Sequence, residues 1–148
     1  MSLIEQGLND YVVDTKVLPV MNEYVGHIFE EVCIQYLLRM NQNFNLPFVV
    51  EKFGKWWGNN PIKKQQEEID IVGMNKENAL FGECKFRNEK CGVGVFNQLV
   101  ERSHLLKVEN RYYYIFSKSG FTKKMIETAE NRKDVTLVNL DDLFNNVK

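Results

Sequence analysis

Between Glu23 and Met40 the apolar residues Val25, Ile28, Phe29, Val32, Cys33, Tyr36 and Leu37 recur at three- and four-residue intervals. That spacing predicts an amphipathic helix, which Asn41-Gln42-Asn43 ends. Phe48 to Trp57 is rich in Val, Phe and Trp and predicts a strand, closed by Gly58-Asn59-Asn60-Pro61. Glu67 to Met74 and Ala79 to Phe86 predict two further strands. The polar turn Asn75-Lys76-Glu77-Asn78 between them makes an antiparallel hairpin. Gly92 and Gly94 precede a helix from Val95 to Lys107. The run Arg111 to Ser117 is strongly β-prone, and Gly120 breaks it. Thr122 caps a helix through Ala129, Val135 to Val138 is a last strand, and Leu140 to Val147 a terminal helix. The order is αβββαβαβ(α). Residues 1–20 lack periodicity, with Pro19 near their end, and are expected to be a linker or an expression-derived lead-in. Residues 21–148 are then one folded unit.

The length of 148 residues fits a single domain, large enough to fold without disulfides or structural metal. Hydrophobic residues at 44% and charged residues at 26% are ordinary globular values. The formal net charge of -1 excludes a uniformly basic nucleic-acid surface and leaves room for a local basic patch. Cys33, Cys84 and Cys91 have no CxxC spacing, which argues against a zinc site or disulfide framework and for a reducing cytoplasm. No apolar run is long enough to span a bilayer.

Charge placement then changes the picture. Glu68-Ile69-Asp70-Ile71-Val72 and Phe81-Gly82-Glu83-Cys84-Lys85 are apolar enough for buried strands, yet each carries charge in its middle. Strand alternation puts Glu83 and Lys85 on one face and Cys84 on the other. By the same rule Asp70 lies between Ile69 and Ile71, which share the opposite face. Two carboxylates and an ammonium on facing strands can hold a hard divalent cation and activate water beside it. At about 100° per residue, Glu30 flanks the apolar stripe of the first helix, whereas Glu31 turns toward solvent. Glu30 is therefore the helix carboxylate expected to reach the hairpin. Mg²⁺ or Mn²⁺ would be held by Asp70, Glu83 and Glu30, with the Cys84 carbonyl as a further ligand. Lys85 would orient or deprotonate water, or stabilise the charged phosphorane. Phosphodiester hydrolysis is the reaction this set suits best. On spacing alone, such a trio is more often a surface charge cluster of little energetic weight.

The combination of Glu30, Asp70 and a Glu83-x-Lys85 motif on an αβββαβ order resembles the PD-(D/E)XK, or restriction-endonuclease-like, nuclease superfamily. More narrowly, five blocks resemble the nuclease-like C-terminal domain of prokaryotic AAA-type ATPases. They are Tyr24-Val25-Gly26-His27-Ile28-Phe29-Glu30, Gly54-Lys55-Trp56-Trp57-Gly58, Glu68-Ile69-Asp70-Ile71-Val72, Phe81-Gly82-Glu83-Cys84-Lys85-Phe86 and Phe116-Ser117-Lys118-Ser119-Gly120-Phe121. The resemblance implies a mixed central sheet flanked by helices. It implies Glu30 as the helix carboxylate, Asp70 and Glu83 as metal ligands and Lys85 as the catalytic lysine. It also implies that this chain is a C-terminal piece of a longer ATPase, since no GxxxxGK[ST] loop occurs in it. Ile69 stands where the superfamily often has proline. Similar nucleases often place a polar active-site residue on the helix after ExK, where Gln98 stands here; a solvated position is the more frequent fate of such a residue.

Other residues are weighed by position. Lys55, Lys63, Lys64, Arg87 and Lys90 could form a phosphate-binding rim, although loop charges are usually just solvated. Trp56 and Trp57 point to opposite faces, so one is expected in the core and the other exposed. His27 and His104 are isolated, and Cys84 is expected to be core. The expectation is a cytoplasmic, metal-dependent DNA nuclease domain attached to an ATPase module, with which a homodimer is compatible. The alternative is a catalytically silent module that binds nucleic acid or protein and regulates its ATPase. The near-neutral charge favours that alternative, and the intact Asp70, Glu83 and Lys85 favour the enzyme.

Overall fold

The computed structural model describes residues 18–145. The lead-in expected over 1–20 lies outside them except for its last residues, which already belong to the first helix. That helix, α1 (Leu18–Gln42), carries Pro19 in its first turn, where a missing N–H breaks no intrahelical bond. The chain continues through β1 (Lys52–Asn60), β2 (Gln65–Met74), β3 (Asn78–Lys85), α2 (Val93–Ser103), β4 (Asn110–Ser117), α3 (Lys123–Glu130), β5 (Val135–Asn139) and α4 (Leu140–Asn145). The five strands form one sheet in the order β1-β2-β3-β4-β5. β1, β2 and β3 are antiparallel neighbours, and β3, β4 and β5 run parallel. This is the αβββαβ core with a mixed sheet between helices that the sequence implied.

Each face of the sheet has its own core. On one, Phe29, Cys33 and Leu37 of α1 pack with Ile71, Leu80, Tyr114, Phe116 and Leu143. On the other, Phe96 and Leu99 of α2 and Met125 of α3 pack with Ile69, Val72, Phe81, Tyr113 and Ile115. Thr122 caps α3 by accepting from Met125 N at 3.2 Å, as its sequence position predicts. No helix among the described residues is long and apolar enough to cross a membrane.

Several boundaries move. β1 begins at Lys52 rather than Phe48, because Asn41 holds Val50 out of the sheet. Its side-chain oxygen accepts from Val50 N at 2.9 Å and its amide donates to Val50 O at 3.0 Å. β1 then runs through Gly58, Asn59 and Asn60, and the reversal falls at Pro61 to Lys64. Helix α2 covers Val93–Ser103 instead of running to Lys107. On α1, Ile28 is 45% exposed, so it lies outside the buried stripe assigned to it. The largest correction concerns β2. Gly54 pairs with Val72 and Trp56 with Ile69, so Lys55 alone faces both Asp70 and Ile71. This β-bulge breaks the alternation. Ile69 consequently joins the α2-side core and Ile71 the α1-side core, and the two do not share a face.

One packing detail gives a direct test. A Cβ on Gly58 would collide with the Trp56 indole, which is packed against the α2-side core. Gly58→Ala is expected to destabilise the fold by about 1–3 kcal/mol, because the indole must leave its place. Urea titration of both proteins measures this, and an unchanged midpoint would show that the indole relocates freely.

Candidate functional site

β2 and β3 pair from Met74↔Ala79 to Ile71↔Gly82. Beyond that pair they part. β2 continues against β1 as far as Asn60↔Gln65, and β3 continues against β4 as far as Lys85↔Ser117. At the fork the Cys84 N–H donates to Asp70 Oδ2 at 3.0 Å, a side chain standing in for the lost strand partner. Close approach of the two strands just inside the fork requires Gly82, where a Cβ would come within 3.1 Å of Ile71 Cβ.

Glu83 follows on β3 and is buried, with Asp70 as its immediate acidic neighbour. Burial first, and the Asp70 carboxylate second, push its carboxyl up to about 8. When protonated it hydrogen-bonds Asp70. Two cations offset the crowding at longer range: Lys85 Nζ lies 3.6 Å from Oε1 and an Arg102 terminal nitrogen 3.8 Å from Oε2. Both separations are too long for good hydrogen bonds. Arg102 is held much more tightly by buried Glu67, its Nε donating to Oε2 at 2.6 Å. Gln65 donates to the other Glu67 oxygen at 2.9 Å, and these bonds keep the Glu67 carboxyl below its ordinary range.

The fork thus brings together Asp70, Glu83 and Lys85. Cys84 contributes its backbone, while its thiol lies on the α1 side against Cys33, which with burial pushes it well up. Glu30 is half-buried and turned toward β1, with Lys55 Nζ 3.8 Å from Oε1 and His27 Nδ1 3.5 Å from Oε2. Glu31 is exposed and accepts from Gln35. Gln98 is also exposed. The α2 residue that reaches the acids is Arg102, which the sequence reading passed over. Helical phase could have found it, since Arg102 lies about 40° nearer than Gln98 to the side of Phe96, Leu99 and Ser103. Glu67 was missed as well, although it shares a face with buried Ile69.

Asp70 and Glu83 fit a hard cation, being adjacent carboxylates whose repulsion a positive ion would relieve. Among the described residues no group of three His, Cys, Asp or Glu side chains converges into a complete cage. A cation here would draw its remaining ligands from backbone, water or substrate, as Mg²⁺ commonly does. The rim lysines are largely engaged: Lys63 meets Glu101 at 2.8 Å, and Lys55 meets Glu68 as well as Glu30 at 3.8 Å. Arg87 lies 3.7 Å from Glu89.

A family described as archaea bacterial proteins of unknown function, DUF234, matches residues 1–106. The chain belongs to DUF234. A curated relative, "Uncharacterized protein MJECL04" of Methanocaldococcus jannaschii, is 30% identical over 148 residues, covering 96% of this chain and 30% of that protein. The DUF234 chain therefore spans under a third of that relative's length. Two solved structures are similar at low identity. "Protein of Unknown Function AF1548" has a TM-score of 0.45 and 16% identity, covering 78% of this chain and 64% of that one. "DNA modification-dependent restriction endonuclease AspBHI" has a TM-score of 0.44 and 14% identity, covering 82% and 31%.

Glu83 gives the site a pH signature. Its folded value, about 8, lies above the ordinary 4.5, so the folded protein keeps a proton that the unfolded chain releases. Stability from that proton is full below about pH 4.5 and is lost as pH rises through about 8, at up to about 1.4 kcal/mol per unit. In EDTA the melting temperature is expected to fall between about pH 5.5 and about pH 8.5, and Glu83→Gln to flatten the fall. A parent whose melting temperature rises over that range would contradict this account of Glu83.

Proposed function

We propose that this DUF234 domain hydrolyses DNA phosphodiester bonds with Mg²⁺ or Mn²⁺. The observation that carries the reading is the fork, where Asp70 and Glu83 lie side by side with Lys85 Nζ 3.6 Å from Glu83. Asp70 and Glu83 would hold the metal, with the Cys84 backbone carbonyl as a candidate third donor. When bound, such an ion neutralises phosphate charge and lowers the pKa of water. The chain's own residues do the rest. Asp70 keeps the fork at a fixed width through the Cys84 N–H. Lys85 orients the attacking water or offsets charge developing on the phosphorane. Glu30 belongs to this reading as a helix carboxylate that would enter the site by releasing Lys55, and Gln98 as a polar residue that substrate would contact. Attachment to an N-terminal ATPase module is also part of the proposal. It rests on the five sequence blocks, and the much greater length of the M. jannaschii relative supports it.

The second reading is a silent module that binds nucleic acid or protein and regulates the ATPase. The engagement of Lys55 and Lys63 by acidic partners favours it, because paired lysines attract phosphate less.

Hydrolysis separates the two readings. Purified protein is expected to cleave at least one of linear, branched or single-stranded DNA only with Mg²⁺ or Mn²⁺. Asp70→Asn and Lys85→Ala should each reduce the rate by at least about a hundredfold, since each removes a charge acting at the reacting phosphate. Circular dichroism should show both variants folded. Activity that survives both changes would have another source. A metal saturating the site should also stabilise the parent by about 2.7 kcal/mol at a hundredfold excess over its dissociation constant, and the Asp70→Asn variant much less. Thermal melting with and without Mn²⁺ measures that difference.

A further inference from the structure

Beyond the fork, β1 and β2 pair only with each other, from Trp56↔Ile69 to Asn60↔Gln65, and form a two-stranded ribbon. Its α2 side is a support. The Trp56 indole lies against Gly58, Arg102 bonds Glu67, and Lys63 bridges to Glu101. The opposite side is open. Trp57 pairs with Glu68 and Asn59 with Gln66, so these four side chains point the same way. Trp57 is 58% exposed, and Asn59 and Gln66 are exposed. At the root of this side Lys55 lies 3.8 Å from both Glu68 and Glu30 and 5.4 Å from the Trp57 ring centroid.

The ribbon ends in a rigid tip. The buried Asn60 side chain accepts from Ile62 N at 3.0 Å and from Lys63 N at 3.1 Å. Lys64 closes the turn at φ 53, a left-handed conformation that a lysine adopts only when its surroundings impose it. The result displays Ile62 at 91% exposure beside Lys64. A turn fixed this firmly holds an apolar side chain in water between Pro61 and Lys63.

We infer that this ribbon reads duplex DNA from the major groove, with Asn59 and Gln66 toward base edges and Lys64 of the tip on phosphates. The inference rests on the DNA reading above and names how that substrate is recognised. A two-stranded ribbon fits the major groove of B-form DNA, which is about 12 Å wide, whereas the major groove of A-form RNA is too deep and narrow. Carboxamides pair bidentately with adenine. Lys64 stands at the tip, while Lys63 beside it is turned to Glu101 on the α2 side at 2.8 Å. At the root Lys55 is shared between two carboxylates, Glu68 and Glu30, so the phosphate contact falls to Lys64 at the tip. From Gln66 to Asp70 the strand spans about 13 Å, so the bases read lie about four steps from the bond at the fork.

The test uses the whole chain in EDTA, where hydrolysis is suppressed. A duplex pool with a randomised centre is selected for binding, and anisotropy then gives dissociation constants for the selected duplex, a scrambled duplex and double-stranded RNA. Asn59→Ala and Gln66→Ala should each weaken the selected duplex at least about fivefold and change the scrambled one by less than about twofold. Lys64→Ala should weaken both DNAs and lower the salt slope by about one. Double-stranded RNA should bind at least about tenfold more weakly than the selected DNA. Unchanged melting temperatures verify that the exposed substitutions leave the fold intact. A parent that binds no duplex, that binds RNA equally well, or whose ribbon variants bind like itself would overturn the inference. Hydrolysis distinguishes the two proposals. Ribbon variants that bind like the parent, beside cleavage lost in Asp70→Asn, remove the ribbon and keep the nuclease. Ribbon effects on binding without cleavage under any metal keep the ribbon and remove the nuclease.

Discussion

Asp70 accepts a hydrogen bond that a strand would otherwise take. Where β2 leaves β3, the Cys84 N–H loses its antiparallel partner, and a buried amide left unpaired costs about 1–3 kcal/mol. The Asp70 carboxylate meets it at 3.0 Å. It can do so because the bulge opposite Lys55 adds one residue to β2 and frees Asp70 from strict alternation. Without the bulge, Ile69 and Ile71 would face one core, and the other would lose a fully buried side chain. The same irregularity therefore serves both cores, opens the fork and aims a carboxylate into it.

Glu83 inherits the consequence. It is buried beside an acid already committed to the backbone, and its two cations stand 3.6 and 3.8 Å away. Arg102 approaches no closer because Glu67 holds it at 2.6 Å. Glu67, with Gln65 and Arg102 both bonded to it, is compensated, whereas Glu83 is not. Its carboxyl answers by retaining a proton to about pH 8. A further positive charge would do the same work as that proton. Structural ion pairs tend toward the state of Glu67. An acid kept in the state of Glu83 has a folding cost, which the proposed cation would offset.

Periodicity made the helices, the β2–β3 hairpin and the β4 core strand legible, because each is encoded by spacing within a short window. Two side-chain placements were legible for the same reason: Glu83 and Lys85 share a face, and one tryptophan of the Trp56-Trp57 pair is exposed while the other packs inward, although which is which, Trp57 out and Trp56 in, was not. What was hidden depends on partners distant in sequence. The apolar run at Phe48 to Val50 has strand composition, but Asn41 occupies Val50's backbone donor and acceptor. The bulge is a mismatch between two strands and leaves no trace in either alone. Glu67 and Arg102 stand 35 positions apart, and only the fold makes them a pair. Their charges could be noticed in the sequence, but the partnership could not.

Charge along the chain bears on how such a domain would find nucleic acid. Lysines near the fork and ribbon are matched locally: Lys55 by Glu30 and Glu68, Lys63 by Glu101. With a net charge of -1 and these pairs intact, long-range attraction to a polyanion is weak. Binding by the isolated domain would then depend on contacts formed at close range, where phosphates can compete with carboxylates for the same lysines. A neighbouring module that itself engages the nucleic acid would change this balance. Tethering converts the domain's encounter into an intramolecular step, and effective concentrations in the millimolar range for short flexible linkers make weak intrinsic affinity sufficient. Near-neutrality is thus no argument against a nucleic-acid substrate for a tethered domain. Were the proposed hydrolysis and the proposed partner module both in place, it would restrain the site from acting wherever DNA is met and reserve activity for sites to which that module delivers it.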